Sequence, residues 1–522
     1  MTIRNAISAA LAGIFVTLSL APFSVWPLAV LAAALLFGAL CKAPARRTFA
    51  LALLFSATLF ASGASWVYVS IHEFGYLAAP LAALCTVLFC LGLALVNAVA
   101  WLPFALARRA KPATAPASST AKVELGTIIL FASVGTFAEW LRSWLLSGFP
   151  WLYIGYSQTN AALDGWAPLG GVYAISFIIY ASGATLFALS HAGLRNLRRP
   201  SHGRLLLLAT ALLACWIAGP QLAKLSYTQS STAPRQVSLI QANISQHEKW
   251  RPGNLAASLK LYAQMSSEAW PRSELVIWPE AAIANEYHAS EAFLQRMDNI
   301  AQSYNSALLT GIPFRDLGAT GTAMHNSVTA VGHASGTYHK QRLVPFGEYI
   351  PLERWVGKLM AVFDLPMTSM GAGAADQAPI KVQDWQTQPL ICYEVVYPSL
   401  AAAAARRSDV LVTVSNDAWF GASLGPLQHL QMAQMRAIET GRYVLRATGN
   451  GISAVIDARG TLLAKTDQFE RSTLHSEFYT STGLTPWTRA GYWLIPLANL
   501  LLLLALLLRN YWQRRRDGAD AA

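Results

Sequence analysis

Eight apolar runs, each long enough to cross a bilayer as a helix, constrain this chain more than any other feature. They lie at about 5–21, 24–41, 49–71, 78–106, 124–146, 166–190, 205–222 and 490–508. A hydrocarbon core takes up about 20 apolar residues per helical span. No water is available there for unpaired backbone groups, so only helices and closed barrels cross it. Runs of this length imply a multi-pass α-helical bundle of about eight helices. Only 13% of the 522 residues are charged, against roughly 25% in ordinary soluble domains. The second run follows the first almost at once across Pro22-Phe23-Ser24. That tight hairpin favours a retained first helix over a cleaved signal peptide.

Charge placement orients the bundle. The net charge of +12 could suggest a nucleic-acid partner, but its distribution excludes that reading. Residues 235–488 carry 20 Lys/Arg against 21 Asp/Glu, so the excess lies elsewhere. It clusters at Arg4, at Lys42, Arg46 and Arg47, at Arg108, Arg109 and Lys111, at Arg195, Arg198, Arg199 and Arg204, and at Arg514–Arg516. The alternate connections 22–24, 72–77 and 147–163 hold no Lys or Arg. The positive-inside rule then puts both termini in the cytoplasm and residues 235–488 outside. Residues 111–122, rich in Pro, Ala, Ser and Thr, read as a flexible cytoplasmic loop. The expected organisation is a membrane region over 1–222, an extracytoplasmic domain over 235–488, a last span over 490–508 and a basic tail over 509–522.

Within 235–488 the long apolar runs give way to short ones. Val237–Ile240, Leu275–Trp278, Ala307–Gly311, Ser327–Val331, Leu390–Ile391 and Val410–Val414 read as buried strands. Helices are expected over 290–304, 398–407 and 426–441, which makes an α/β layered domain.

Three strand ends carry the candidate chemistry. In Trp278-Pro279-Glu280, proline stops a strand just before a carboxylate. Tyr338-His339-Lys340 leads into Leu343-Val344-Pro345-Phe346-Gly347-Glu348. In Leu390-Ile391-Cys392-Tyr393-Glu394 a thiol stands at the tip of an apolar strand. Strand ends in α/β domains hold side chains rigidly while neighbouring loops admit substrate. A Cys, a Lys and a Glu in one pocket form a coherent nucleophilic set. The cation favours thiolate and an anionic intermediate, and the carboxylate moves the proton. Each residue alone also has a structural reading, as core thiol, solvated lysine or capping carboxylate. Cys392 is the only cysteine of the domain, which therefore holds no internal disulfide. No dense His/Cys/Asp cluster with metal-ligand spacing and no phosphate-binding glycine loop stands out, so no metal or cofactor is expected.

These motifs together resemble the nitrilase, or carbon–nitrogen hydrolase, superfamily over about 235–480. The resemblance implies an αββα fold and a Glu280–Lys340–Cys392 triad. Seven helices before that domain and one after, with LVPFGEYIP at 343–351 and SNDAWFG at 415–421, resemble the apolipoprotein N-acyltransferase family over essentially the whole chain. By that resemblance Glu348 and Glu394 are accessory carboxylates, and Trp250 lies near the side where lipid enters. Tyr393 would lend a backbone N–H to an oxyanion, while Asn416, Trp419 and Glu439 sit in matching motifs. Arg342 stands where nitrilases commonly have histidine.

The same resemblance implies acyl transfer from a phospholipid, with phosphatidylethanolamine the expected donor, through a Cys392 thioester. The acceptor would be the N-terminal amine of a diacylglyceryl-cysteine apolipoprotein. The setting would be the outer face of the bacterial cytoplasmic membrane, and the enzyme a monomer without nucleic-acid partners. A tethered small-amide amidase would not need eight helices. A transporter would place more polar residues at the bilayer midplane. A dead scaffold would not keep the triad. Three secondary expectations complete the reading. Residues 355–370, apolar yet too short to span a bilayer, are expected to form a lipid-facing lid. Glu139 and Arg142 are expected to make an i, i+3 ion pair, and His429 to pack or cap a helix.

Overall fold

The computed structural model describes residues 2–107, 124–192, 203–251, 253–318, 321–350 and 370–519. The loop expected at 111–122 and the lid expected at 355–370, apart from its last residue, lie outside the described residues. The fold divides into two compact units. One comprises Met1–Tyr68, Ala78–Leu225 and Tyr492–Ala522, and the other Val69–Leu77 with Ser226–Gly491.

All eight apolar runs of the first unit are helical. Among the described residues, four helices are long and apolar enough to cross a membrane: Ala79–Ala107, Asp164–Ala192, Gly203–Leu222 and Leu494–Trp512. Ala45–Gly63 and Val67–Phe74 together make a fifth candidate, bent by 61° at the break. Ile3–Ser19, Pro27–Leu40 and Leu125–Leu141 are shorter apolar helices. Lipid is the only solvent that suits their outward faces. Leu84, Val87, Leu88, Leu91, Leu95 and Val99 form an exposed apolar stripe at helical spacing along Ala79–Ala100, a surface water would not tolerate. Small residues set the packing distances inside. Gly183, for instance, lies against Ala33 and the Val30 carbonyl, where a side chain has no room.

Buried charge in this unit is paired differently from the sequence expectation. Glu139 accepts from the Ile154 N–H at 2.8 Å and from the Ser176 and Tyr180 hydroxyls. Arg142 donates to the Trp151 carbonyl at 3.3 Å and lies over the Phe60 and Tyr153 rings. Both side chains therefore pin the irregular segment after Leu141 instead of bonding each other across a helical turn.

The second unit is built on two sheets. Six strands, β1 (Arg235–Gln241), β2 (Leu275–Ile277), β3 (Ala307–Gly318), β4 (Gly321–Gly332), β5 (Thr337–His339) and β11 (Ser472–Phe478), lie in the order β11-β1-β2-β3-β4-β5. The five-stranded sheet, β6 (Leu390–Ile391), β7 (Leu411–Ser415), β8 (Val444–Thr448), β9 (Ala454–Ile456) and β10 (Leu462–Lys465), keeps chain order. β1, β2 and β3 are mutually parallel, as are β6, β7 and β8.

The alternation of side chains along a strand explains the layers. Val237, Leu239, Leu275, Ile277 and Leu309 face Ile391, Val412, Val414, Leu445 and Val455 in one core between the sheets. The opposite side chains, Ile240, Val276, Trp278 and Leu308, pack on Tyr262, Phe293, Leu294 and Met297 of the helices Asn254–Ser267 and Glu291–Ser303. Helix Gly425–Thr440 follows β7, and nearly every residue along it is buried. The result is a nitrilase-like α/β domain with helices outside two facing sheets.

Candidate active site

Glu280 is placed by a sharp stop. The Trp278 N–H still bonds to Leu309 as a strand would, and Pro279 ends the ladder because it has no N–H to donate. Ala281 then adopts φ +46, in the left-handed region. Gly311 on β3 lies so close to Pro279, Glu280 and Ala281 that a Cβ there would collide with their backbone. The Glu280 carboxylate is buried. Oε1 accepts from Asn326 Nδ2 at 2.7 Å and Lys340 Nζ at 3.4 Å, and Oε2 accepts from the Asn416 N–H at 2.8 Å.

Lys340 follows β5 and is held by its N–H on the Asn326 carbonyl. Its ammonium is only 1% exposed and lies between two carboxylates, 2.9 Å from Glu348 Oε1 and 3.4 Å from Glu280 Oε1. Burial pulls its pKa down, but Glu348 and Glu280 outweigh it and hold the pKa far above the ordinary lysine value. Lys340 is therefore a fixed cation at any physiological pH. Asn326 bonds both carboxylates, and the Val344 N–H binds the remaining oxygen of Glu348.

Cys392 stands at the end of β6 with φ +51. A left-handed conformation at a non-glycine residue costs about 1–3 kcal/mol and must be enforced by its surroundings. Glu394 is one enforcer: Oε2 accepts from the Ile391 N–H at 2.7 Å, while Oε1 takes the Tyr338 hydroxyl and the N–H groups of Gln341 and Arg342. This carboxylate ties the cysteine turn to the lysine segment from below. Burial pushes its pKa up to about 7, against those backbone N–H groups and Lys340. Tyr393 is buried, with its ring edge-on to Tyr397 at 5.3 Å.

The thiol itself departs from the sequence reading. Burial and the nearby Glu280 carboxylate push the Cys392 pKa well up, and the opposing pull of Lys340 does not compensate. At rest Cys392 is therefore a neutral thiol.

The remaining candidates divide. Asn416 is at the site through its N–H on Glu280, and its side chain donates to Gln246 at 2.7 Å. Trp419 and Trp250 are exposed by 38% and 50%, so they are surface groups of this unit. Glu439 is fully buried and pairs with Arg436 at 3.0 Å along its own helix. Its carboxylate braces that helix and makes no described bond to the Glu280, Lys340 or Cys392 side chains.

Sequence reasoning missed Asn326 and Lys249. Lys249 is buried and donates to the Glu280 carbonyl at 3.0 Å, with its pKa brought down to about 8 by burial against the pull of Glu280. It also missed a strap, Val69–Leu77, that packs with the second unit. Ser70 donates to the Trp419 carbonyl, and Phe74 stacks on His247 and meets Trp419 edge-on. Its aromatics Phe74 and Tyr76 were the available signal, masked because 72–77 reads as a short connection between two apolar runs. Among the described residues no group of three His, Cys, Asp or Glu is placed to hold a metal.

Two families of known proteins match the chain. Residues 236–482 match the carbon–nitrogen hydrolase family, and residues 12–185 match the apolipoprotein N-acyltransferase N-terminal domain. The chain is 43% identical to the apolipoprotein N-acyltransferase of Azotobacter vinelandii, over 97% of this chain and 95% of that one. It is 44% identical to that of Pseudomonas aeruginosa, over 97% and 96%. Among solved structures, a carbon–nitrogen hydrolase from Helicobacter pylori aligns with 47% of this chain and 88% of its own, at 16% identity and a TM-score of 0.35.

Proposed function

The chain belongs to the apolipoprotein N-acyltransferase family, and from that premise we propose that it N-acylates lipoproteins by a two-step, ping-pong transfer through Cys392. The observation that carries this reading is the buried Lys340 ammonium between Glu280 and Glu348, beside a thiol on an enforced left-handed turn.

In the first half-reaction Glu280 takes the Cys392 proton as Sγ attacks the ester carbonyl of a phospholipid, with phosphatidylethanolamine the proposed donor. The tetrahedral oxyanion is stabilised by Lys340 and by the Tyr393 N–H. Collapse breaks the C–O bond, Glu280 returns the proton to the departing alkoxide, and a lysophospholipid leaves behind a thioester. In the second half-reaction the free α-amine of a diacylglyceryl-cysteine attacks the thioester carbonyl. Glu280 takes the amine proton, the amide forms, and the thiolate leaves and regains that proton. Lys340 stays an ammonium throughout. Glu348 keeps it in place, Asn326 and Asn416 hold Glu280, and Glu394 holds the cysteine turn. Glu280, Lys340 and Cys392 are all buried, and a site that limits the access of water favours an amine as acceptor.

The basic residues of alternate loops support an inner-membrane orientation with both termini cytoplasmic and the α/β unit on the outer face. A monomer suffices, because every proposed side chain comes from one chain. Intact mass and peptide mapping after incubation with phospholipid test the reading. An acyl adduct on Cys392 that a diacylglyceryl-cysteine peptide discharges is the expected result. Active protein that never carries that adduct, or Cys392→Ala that still transfers acyl chains, would overturn it.

A further inference from the structure

A buried polar group lies directly behind the nucleophile and has no part in the chemistry above. His429, on helix Gly425–Thr440, is 1% exposed, and its Nε2 lies 3.1 Å from the Cys392 carbonyl oxygen. Its Nδ1 faces Arg446 Nη2 at 3.1 Å and Asp417 Oδ1 at 3.3 Å. Arg446 and Asp417 are themselves bonded at 2.7 Å, and Ser415 donates to Asp417 at 2.6 Å. Asp417, Arg446 and Ser415 are buried as deeply as the imidazole. Gly451 closes the back of the cluster, where any Cβ would collide with Asp417.

The donor and acceptor chemistry fixes the imidazole. A carbonyl oxygen only accepts, so Nε2 must carry the proton shared with Cys392. Arg446 only donates, so the lone pair of Nδ1 is its natural partner. Burial and the Arg446 charge disfavour imidazolium and outweigh the opposing pull of Asp417 and of the Cys392 carbonyl. The ring is thus neutral, in one tautomer, held from the side opposite the cysteine.

We propose that His429, aligned by Arg446, which Asp417 holds in turn, is a positioning residue that sets the orientation of the Cys392–Tyr393 peptide and thereby builds the oxyanion site. In a planar trans peptide the C=O and the following N–H point in opposite directions. Pinning the Cys392 carbonyl to His429 therefore turns the Tyr393 N–H away from that helix. The same bond helps enforce φ +51 at Cys392, a conformation an unrestrained cysteine leaves. A flipped peptide would present a carbonyl oxygen to a developing negative charge and repel it. The inference rests on Cys392 being the nucleophile.

The test compares His429→Leu, His429→Gln and Cys392→Ala with the parent, all full length in detergent. Two rates are read: single-turnover acylation of Cys392 by phospholipid, from intact mass, and alkylation of Cys392 by iodoacetamide. Alkylation passes through no oxyanion. His429→Leu is expected to lower acylation by about 10²–10³, the usual effect of losing one oxyanion donor, with the KM for phospholipid and the alkylation rate little changed. Gln places an amide N–H where Nε2 stood, so His429→Gln is expected to recover most of the acylation rate. Acylation in His429→Leu within about threefold of the parent, or a parallel fall of acylation, alkylation and thermal stability in both variants, overturns the proposal. An acyl adduct in Cys392→Ala overturns the nucleophile assignment instead.

Discussion

Replacing Lys340 with Met should turn the site from its best-paired region into its least stable one, in a way that depends on pH. The ammonium is 2.9 Å from Glu348 and 3.4 Å from Glu280. At an effective dielectric of 20 each contact is worth about 5–6 kcal/mol of Coulomb attraction. Desolvation of the ammonium offsets several kcal/mol, and removing one partner of a buried pair costs about 3–5 kcal/mol net. The deficit arises because two carboxylates then share Asn326 with no cation between them. Like charges in one site raise a carboxyl pKa in the folded state. The folded variant then binds a proton that its unfolded chain releases. Its deficit is smallest below the ordinary carboxylate range and grows as pH rises through the raised value. Melting of parent and K340M in detergent from pH 5 to pH 8 should show the gap widening to about 10 °C. Adding Glu348→Gln to K340M should close most of that gap at pH 8 while N-acylation stays lost. A gap that is equal at every pH, and unmoved by Glu348→Gln, would refute the reasoning.

Three further expectations follow from the same geometry. Glu280→Gln keeps the bond from the Asn416 N–H but cannot take a proton, so acyl-enzyme formation should fall by about 10²–10⁴, the usual worth of a general base, in a folded protein that still alkylates at Cys392. Lys249→Met removes a buried ammonium whose pKa is down at about 8. The folded parent gains stability as pH rises from 8 towards the ordinary lysine value, so the variant should be more stable by ~3 kcal/mol at pH 7 and lose most of that advantage by pH 10. Its thermal melts at both pH values check this, and an advantage undiminished at pH 10 would count against it. Cysteines introduced at residues 260 and 470 should react with an impermeant thiol reagent from outside intact cells, and protection at 260 would reverse the proposed topology.

The strands and helices that position the site were legible because burial on both sides makes short apolar runs. Trp278-Pro279-Glu280 and Ile391-Cys392 announced themselves through a proline and a thiol at strand tips. Asn326 gave no such sign. It lies mid-strand among residues of ordinary β character and acts on carboxylates 46 and 22 positions away. His429 looked like a packing residue because its partners Arg446 and Asp417 meet only when β8 and the end of β7 come together. Strands β5, β8, β9, β10 and β11 were overlooked: β10 and β11 expose side chains at intervals, β5 and β9 are three residues long, and Arg446 interrupts the apolar residues of the wholly buried β8. The third apolar run read as one span, yet the backbone bends by 61° after Gly63. Hydropathy reports the solvent of a segment and is blind to a bend within it. The Glu139–Arg142 spacing suggested a bond that tertiary partners outcompeted.

The strap Val69–Leu77 also has a consequence for how the chain matures. Ser70 precedes its partner Trp419 by 349 residues. At a synthesis rate of about 5–20 residues per second, the strap waits roughly 20–70 s before the surface it packs on exists. For about the first half of that interval Phe74 and Tyr76 lack His247, and for all of it Phe74 lacks Trp419. The α/β unit therefore finishes assembling only after Trp419 has been made, and a fragment excised at Ser226–Gly491 would lack the strap that packs with it.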